Sequence, residues 1–433
     1  MISRLKNAPV EITILILLAV FILAGVSIIP FHPDESSWLY MSRDLELSIS
    51  NPKSVMWDDS RAGEVDQYKR MIDAPLAKYV IGIGRKIVGV PTIKSDWNWE
   101  LSWSDNKNAG ALPTQNQLNV GRMTNTLVLI ASTVLIYISG KHLESRLTGI
   151  IAALFFGTNS LLLLHNRHVM AEGVVTFCVV LSIIAIFYGS DYPWFTGIAV
   201  ALAINSKQSA IPLLGVGLFS VLWIPNQNFN IKRIGKNAAI FSIVLVGLSY
   251  LLNPLWWSHP ARVPIEAWIA RVNFRDNQVA TLKILAPNQV LDTPIKRLVS
   301  FIANLFILPP AFYEAANYVN ETEISQVEYL SFPGHNLFRG IIGGGITLLL
   351  FLFGTTFGVI NAIRTADPSK RRKLTLLLLA TFIQAIAILV AIPIPYQRYV
   401  IPMIPFIALW IGYGSSLLLN GIRNNINFPI FQK

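Results

Sequence analysis

The 433-residue sequence contains a single cysteine, Cys178, which excludes an internal disulfide and a thiolate metal site. Charge is also scarce. Only 14% of residues are Asp, Glu, Lys or Arg, against roughly 25% in soluble domains. No phosphate-cradling GxxxxGK(S/T) loop, no GxGxxG turn and no GxSxG elbow occurs, which argues against ATP-driven transport and soluble nucleotide-sugar chemistry. The six histidines lack HExxH spacing. His165 and His168 are three apart, but the turn expected between them makes a poor metal site. Repeats and low-complexity tracts are missing too.

What is present is apolar. Hydrophobic residues make up 53% of the chain and the mean hydropathy is +0.51. That composition fits an all-α polytopic membrane protein. Ten spans are expected near 10–29, 120–140, 147–165, 169–188, 193–205, 209–225, 237–253, 337–361, 373–393 and 397–420. The first reads as a retained anchor and not a cleaved signal. A net charge of +11 raises the question of nucleic acid. The basic residues, however, cluster in short loops between apolar runs, the mark of topology and anionic headgroups. The partner they imply is a lipid bilayer and no nucleic acid.

Arg4 and Lys6, then Lys141 and Arg146, Lys232 to Lys236, and Arg364 with Lys370 to Lys373 all fall on one side if the spans are counted so. That side is cytoplasmic by the positive-inside rule. The segment 298–313 is apolar but short and meets Pro309-Pro310, so it is expected to be re-entrant or interfacial. The chain thus reads as one transmembrane domain over 1–433, with two long external segments at 31–119 and 254–336. The first holds half of the 24 acidic residues. Trp38, Met41 and Leu45, and again Leu76, Val80, Ile83 and Ile87, recur at helical spacing, as in helices lying in the interface plane. Trp97, Trp99 and Trp103 suit the headgroup layer.

On this topology, five polar groups share the external ends of the spans: Asp34-Glu35; Asp73 to Lys78; His165 to His168 with Glu172; Lys207; and Tyr396 to Tyr399, which includes Arg398. A low-dielectric border raises a carboxylate pKa, as a general base near neutrality requires. The plainer reading has Asp34 capping the next helix and Glu35 solvated. Glu172 lies within an apolar run and needs a partner. Either Arg167 pairs with it, or Arg167 faces a substrate phosphate or orients the carboxylates. Lys78 and Lys207 could snorkel and Arg398 could anchor the last span. Cations converging on one cavity would instead suit a lipid phosphate or pyrophosphate.

A first span followed by Asp34-Glu35-Ser36-Ser37-Trp38-Leu39-Tyr40 resembles the dolichyl-phosphate-mannose protein mannosyltransferases and their bacterial relatives, among them the aminoarabinose transferases. Asp73-Ala74-Pro75-Leu76-Ala77-Lys78 is similar to that superfamily's His-Pro-Pro-Leu-(Ala/Gly)-Lys segment, without its histidine and first proline. Asn166-Arg167-His168-Val169-Met170-Ala171-Glu172 resembles its Arg-containing turn, with Glu for the usual Asp. Lys207 matches a later lysine. The resemblance covers about 10–260.

It implies a GT-C-type bundle of about 10–11 transmembrane helices, with interfacial helices in a long first external loop. It also implies a glycosyltransferase moving a sugar from a polyprenyl-phosphate donor to a hydroxyl of a protein, lipid or glycan. The transfer inverts the anomeric carbon, with Asp34 as base and Glu35 beside it in the catalytic pair. Lys78, Arg167, Lys207 and Arg398 would bind the donor phosphate, supported by Asp73, Glu172 and Tyr396. No cofactor or divalent metal is implied. A prokaryotic plasma membrane with an external active site is the expected location. The alternatives are a transporter or lipid flippase, a metal-dependent oligosaccharide transferase, and a membrane scaffold.

Overall fold

Helix α1 (Ala8–Ala24) is the first apolar stretch, and Glu11 in its opening turn accepts the Tyr137 hydroxyl and pairs with Arg146 at 3.2 Å. The computed structural model describes residues 8–224, 230–312 and 317–426. Arg4, Lys6 and Tyr313 lie outside them.

After Pro30 the chain enters α2 (Pro33–Met41), whose cap is not Asp34. His32 Nδ1 accepts the Asp34 N–H at 3.1 Å, and the Glu35 carboxylate accepts the His32 N–H at 3.2 Å. This capping box leaves the Asp34 side chain for other partners. Helices α3 (Asp44–Ser50) and α4 (Val65–Ile72) follow, then α5 (Pro75–Val88). Pro75 opens α5, and Gly89, at φ 75°, closes it in the left-handed region. Helix α5 turns Ile83 and Ile87 outward and buries Ala77, Lys78, Ile81 and Arg85, as a helix in the membrane interface does. Trp97 and Trp103 behave otherwise than the headgroup reading. They pack with Phe31 at ring distances of 5.7–5.8 Å, building a small aromatic core with Tyr318 of the second external segment.

Past α6 (Trp103–Asn108), the long α7 (Gln115–Leu143) descends through the bundle and α8 (Arg146–Gly157) returns. The expected span 147–165 is broken. Asn159 caps a separate α9 (Ser160–His165), accepting the N–H groups of Leu161 and Leu162. Then come α10 (Ala171–Phe187), α11 (Pro193–Ser206), α12 (Leu213–Leu222) and α13 (Ile231–Leu252). Helix α14 (Val263–Leu285) follows, in a segment where no helix was expected. Segment 294–307 is α15 (Pro294–Ile302) running into a five-residue π-turn, and it stops before Pro309. After α16 (Val319–Ser331), the chain closes with α17 (Gly340–Arg364), α18 (Pro368–Ala391) and α19 (Ile404–Ile426).

Among the described residues, five helical stretches are long and apolar enough to cross a membrane, with several shorter apolar helices beside them. Burial sorts them. The last, 89% buried, is the centre of the bundle; the windows in α17 and α13, at 17% and 22%, face outward. Gly354 lets α17 approach α19, since a Cβ there would lie 2.0 Å from the Trp410 carbonyl oxygen. One end of the bundle is basic. Lys370 pairs with Glu144 at 2.6 Å, and Lys373 donates to the His142 carbonyl at 2.9 Å. The opposite end carries Asp34, Glu172, Lys207 and Arg398 together with both long loop segments, joined by Arg262–Asp59 at 2.7 Å.

Candidate active site

Asp34 sits in the first turn of α2, and its carboxylate pairs with Arg398 from the loop before α19, 364 residues away. Burial alone would raise the Asp34 carboxyl. The Arg398 guanidinium, helped by His32 and Lys69, outweighs it and holds that carboxyl well below the usual carboxylate range. The expectation of a raised pKa at the membrane border is therefore reversed while Arg398 is in place. His32, fully enclosed, is pushed down to about 4 by burial despite the Asp34 charge, so its imidazole is neutral at pH 7.

Beside this pair, Lys207 from the polar break after α11 is paired with Glu172 in the first turn of α10. Glu172 is thus matched by Lys207 and not by Arg167. The Tyr399 ring joins the two pairs, lying 5.5 Å from Lys207 Nζ and 5.6 Å from Arg398 Cζ. Tyr396 stacks on Tyr399 at 5.9 Å. Gln397 fixes this loop by donating to the Pro309 carbonyl and accepting the Ala311 N–H, at 2.8 and 2.9 Å.

Three sequence candidates lie in other surroundings. Glu35 is completely buried, and its two oxygens accept Arg122 Nε and Nη2 at 2.8 and 2.7 Å and the Val169 N–H at 3.1 Å, besides the His32 N–H. Arg122 also donates to the carbonyls of Ile29 and Pro30. With those four bonds, Glu35 ties the start of the loop to α7 and to the α9–α10 turn. Arg167 is also fully buried. It donates to the carbonyls of Phe21 and Ile22 at 3.0 and 2.9 Å and lies 3.1 Å from His335 Nε2, capping the C-terminal turn of α1 instead of facing a phosphate. Gly25 makes room for it, since a Cβ there would fall 2.1 Å from the guanidinium. Lys78 spends its ammonium on the carbonyls of Lys69 and Asp73 at 3.3 and 3.0 Å, and burial pushes its pKa down. Asp73 meets Lys78 through that carbonyl and, like it, stands apart from the Asp34–Arg398 pair.

Two residues the sequence did not single out enter the site. Lys69 of α4 pairs with Asp96 at 3.2 Å and stands within electrostatic reach of Asp34. The Ser37 hydroxyl donates to Asp96 at 2.6 Å. Both charges lie in polar loop sequence, where nothing in the pattern marks them. Arg122 carried a signal that went unused, a lone arginine one turn inside an apolar helix.

Among the described residues, no three His, Cys, Asp or Glu side chains gather as ligands for a cation. Asp34, Glu35 and Glu172 each face a cationic side chain already.

No protein-family model and no curated protein matches the sequence. Solved structures do. The apo oligosaccharyltransferase of Archaeoglobus fulgidus is 12% identical, with a TM-score of 0.53 over 97% of this chain and 52% of its own length. ArnT from Cupriavidus metallidurans, solved with undecaprenyl phosphate, is 13% identical, with a TM-score of 0.50 over 96% of this chain and 64% of its own. The chain therefore spans about half to two thirds of the length of these neighbours, and it shares their helical fold.

Proposed function

We propose that this protein is a membrane glycosyltransferase that moves a sugar from a polyprenyl-phosphate donor to an acceptor hydroxyl, with inversion and with Asp34 as the base. The observation that carries the reading is the meeting of Asp34 with Arg398, beside Glu172–Lys207, around one tyrosine ring. A carboxylate and two cations from three distant segments are what a displacement at a sugar–phosphate bond uses. The leaving phosphate gains charge as the bond breaks, and Arg398 and Lys207 are placed to neutralise it. Asp34 takes the proton of the attacking hydroxyl. The shared fold of a neighbour solved with undecaprenyl phosphate supports the choice of donor. The basic end of the bundle supports a site on the non-cytoplasmic face, here of a prokaryotic plasma membrane.

A carboxylate held by Arg398 is a weak base. Arrival of the donor phosphate competes for the guanidinium, and burial then lifts the Asp34 pKa. Because kcat/KM reports the free enzyme and kcat the donor complex, the acid limb of kcat is expected at higher pH than that of kcat/KM. In Arg398→Gln the depressing charge is gone from the free enzyme as well, so the kcat/KM limb shifts upward to meet that of kcat. Coincident limbs in the wild type contradict this gating.

Lys207→Ala is expected to weaken donor binding by about tenfold or more, the worth of a charge-assisted hydrogen bond, and more than Asp34→Asn does. Equal donor affinity in the two variants contradicts the phosphate role of Lys207. The donor set also supports a metal-independent reaction in place of a metal-dependent oligosaccharide transfer. Activity undiminished by EDTA is the expected result.

A further inference from the structure

The turn between α9 and α10 holds polar atoms that the transfer chemistry does not use. Both ring nitrogens of His165, both amide atoms of Asn166 and Nδ1 of His168 are buried without a hydrogen-bond partner. His165 is 5% exposed, Asn166 0% and His168 2%. Buried polar groups are normally satisfied, so such a cluster within four residues asks for an occupant. The turn is held rigidly. Asn125 Nδ2 donates to the carbonyls of His168 and Met170 at 2.6 and 2.8 Å, and His168 Nε2 lies 2.9 Å from the Pro30 oxygen.

Its position is next to the reacting groups. The His168 ring is 6.4 Å from His165 and 5.9 Å from His32, whose Nδ1 caps the helix at Asp34. His165 stands within electrostatic reach of Arg398 and Lys207. On the other side of His32 lie the rings of Tyr318 and Trp99, at 5.4 and 6.4 Å, with Trp99 38% exposed. An amide and neutral imidazoles both donate and accept, as sugar hydroxyls do. An aromatic face suits the C–H side of a pyranose.

We propose that His165, Asn166 and His168 form the subsite for the donor's sugar, and that this subsite selects a neutral, fully hydroxylated sugar over a cationic amino sugar. An ammonium group would need a carboxylate. Asp34, Glu35 and Glu172 are committed to Arg398, Arg122 and Lys207, so it would instead meet a rim of cations. The inference rests on the polyprenyl-phosphate reading and adds the class of sugar.

The test measures binding of undecaprenyl phosphate and of its mannosyl, glucosyl and 4-amino-4-deoxyarabinosyl derivatives to the purified full-length protein. The wild type is expected to bind at least one hexosyl lipid about tenfold more tightly than bare undecaprenyl phosphate, the scale of one hydrogen bond in a site built for it. The aminoarabinosyl lipid gains nothing over the bare lipid. His165→Phe and Asn166→Leu erase the hexose gain while keeping affinity for bare undecaprenyl phosphate, which also shows that they fold. His165→Gln, which still hydrogen-bonds, keeps part of the gain. Full hexose preference in both apolar variants overturns the subsite, and so does a wild type that favours the amino sugar. A wild type that binds bare undecaprenyl phosphate but gains from no sugar overturns the subsite alone. One that does not bind bare undecaprenyl phosphate overturns the phosphate reading and the subsite together.

Discussion

Asp34→Asn is expected to lower turnover by about 10²- to 10⁴-fold, the usual contribution of a positioned general base, while donor binding stays close to the wild type. The asparagine keeps the volume of the side chain and can still accept a hydrogen bond from Arg398. What it loses is the ability to take a proton. His32 and Glu35 hold the start of α2 through a capping box that uses only the Asp34 backbone N–H, so the helix survives the change. The same rate in Asp34→Asn as in the wild type, measured as release of lipid phosphate, contradicts the base assignment.

The second large effect is on stability. Glu35→Ala leaves the Arg122 guanidinium, 3% exposed, without its counter-charge and strips the N–H groups of His32 and Val169 of their acceptor. Breaking one side of such a buried pair costs about 3–5 kcal/mol. Thermal unfolding in detergent reads this as a pronounced fall in Tm. The double variant Glu35→Gln, Arg122→Met recovers much of the loss, because replacing both charges removes the unpaired ion. A Glu35→Ala protein that melts with the wild type contradicts the scaffold role and returns Glu35 to the chemistry.

Asp34, Lys207 and Arg398 stood out in the sequence because each charge stands at the border of an apolar run, where it is costly and therefore conspicuous, and the structure brings the three to one end of the bundle. The same reasoning drew in Arg167 and Lys78, and there it misjudged the partner. Both cations satisfy backbone carbonyls, of α1 in one case and of the Lys69–Asp73 turn in the other. An orphaned helix end is invisible in a hydropathy pattern, although it attracts a cation as well as a phosphate does. The pairing of Glu172 with Lys207, 35 residues away, is set by how α10 and α11 pack. Lys69, on α4, and Asp96, in a loop, had no signal, because charged residues are ordinary in polar stretches of sequence. For the fold, the apolar runs placed nearly every transmembrane helix. The break at Asn159 was readable as an N-cap within an apolar run, whereas α14 went unread, although its exposed Ile265, Trp268 and Ile269 stand at i, i+3 and i+4 on one face.

The central claim is sugar transfer from a lipid phosphate. The direct measurement incubates purified protein with a panel of undecaprenyl-phosphate sugars and follows released undecaprenyl phosphate, with and without EDTA. The expected result is release from at least one neutral-sugar donor, undiminished by chelation and absent in Asp34→Asn. Release from none of the donors, or release that stops when the metal is chelated, would contradict it.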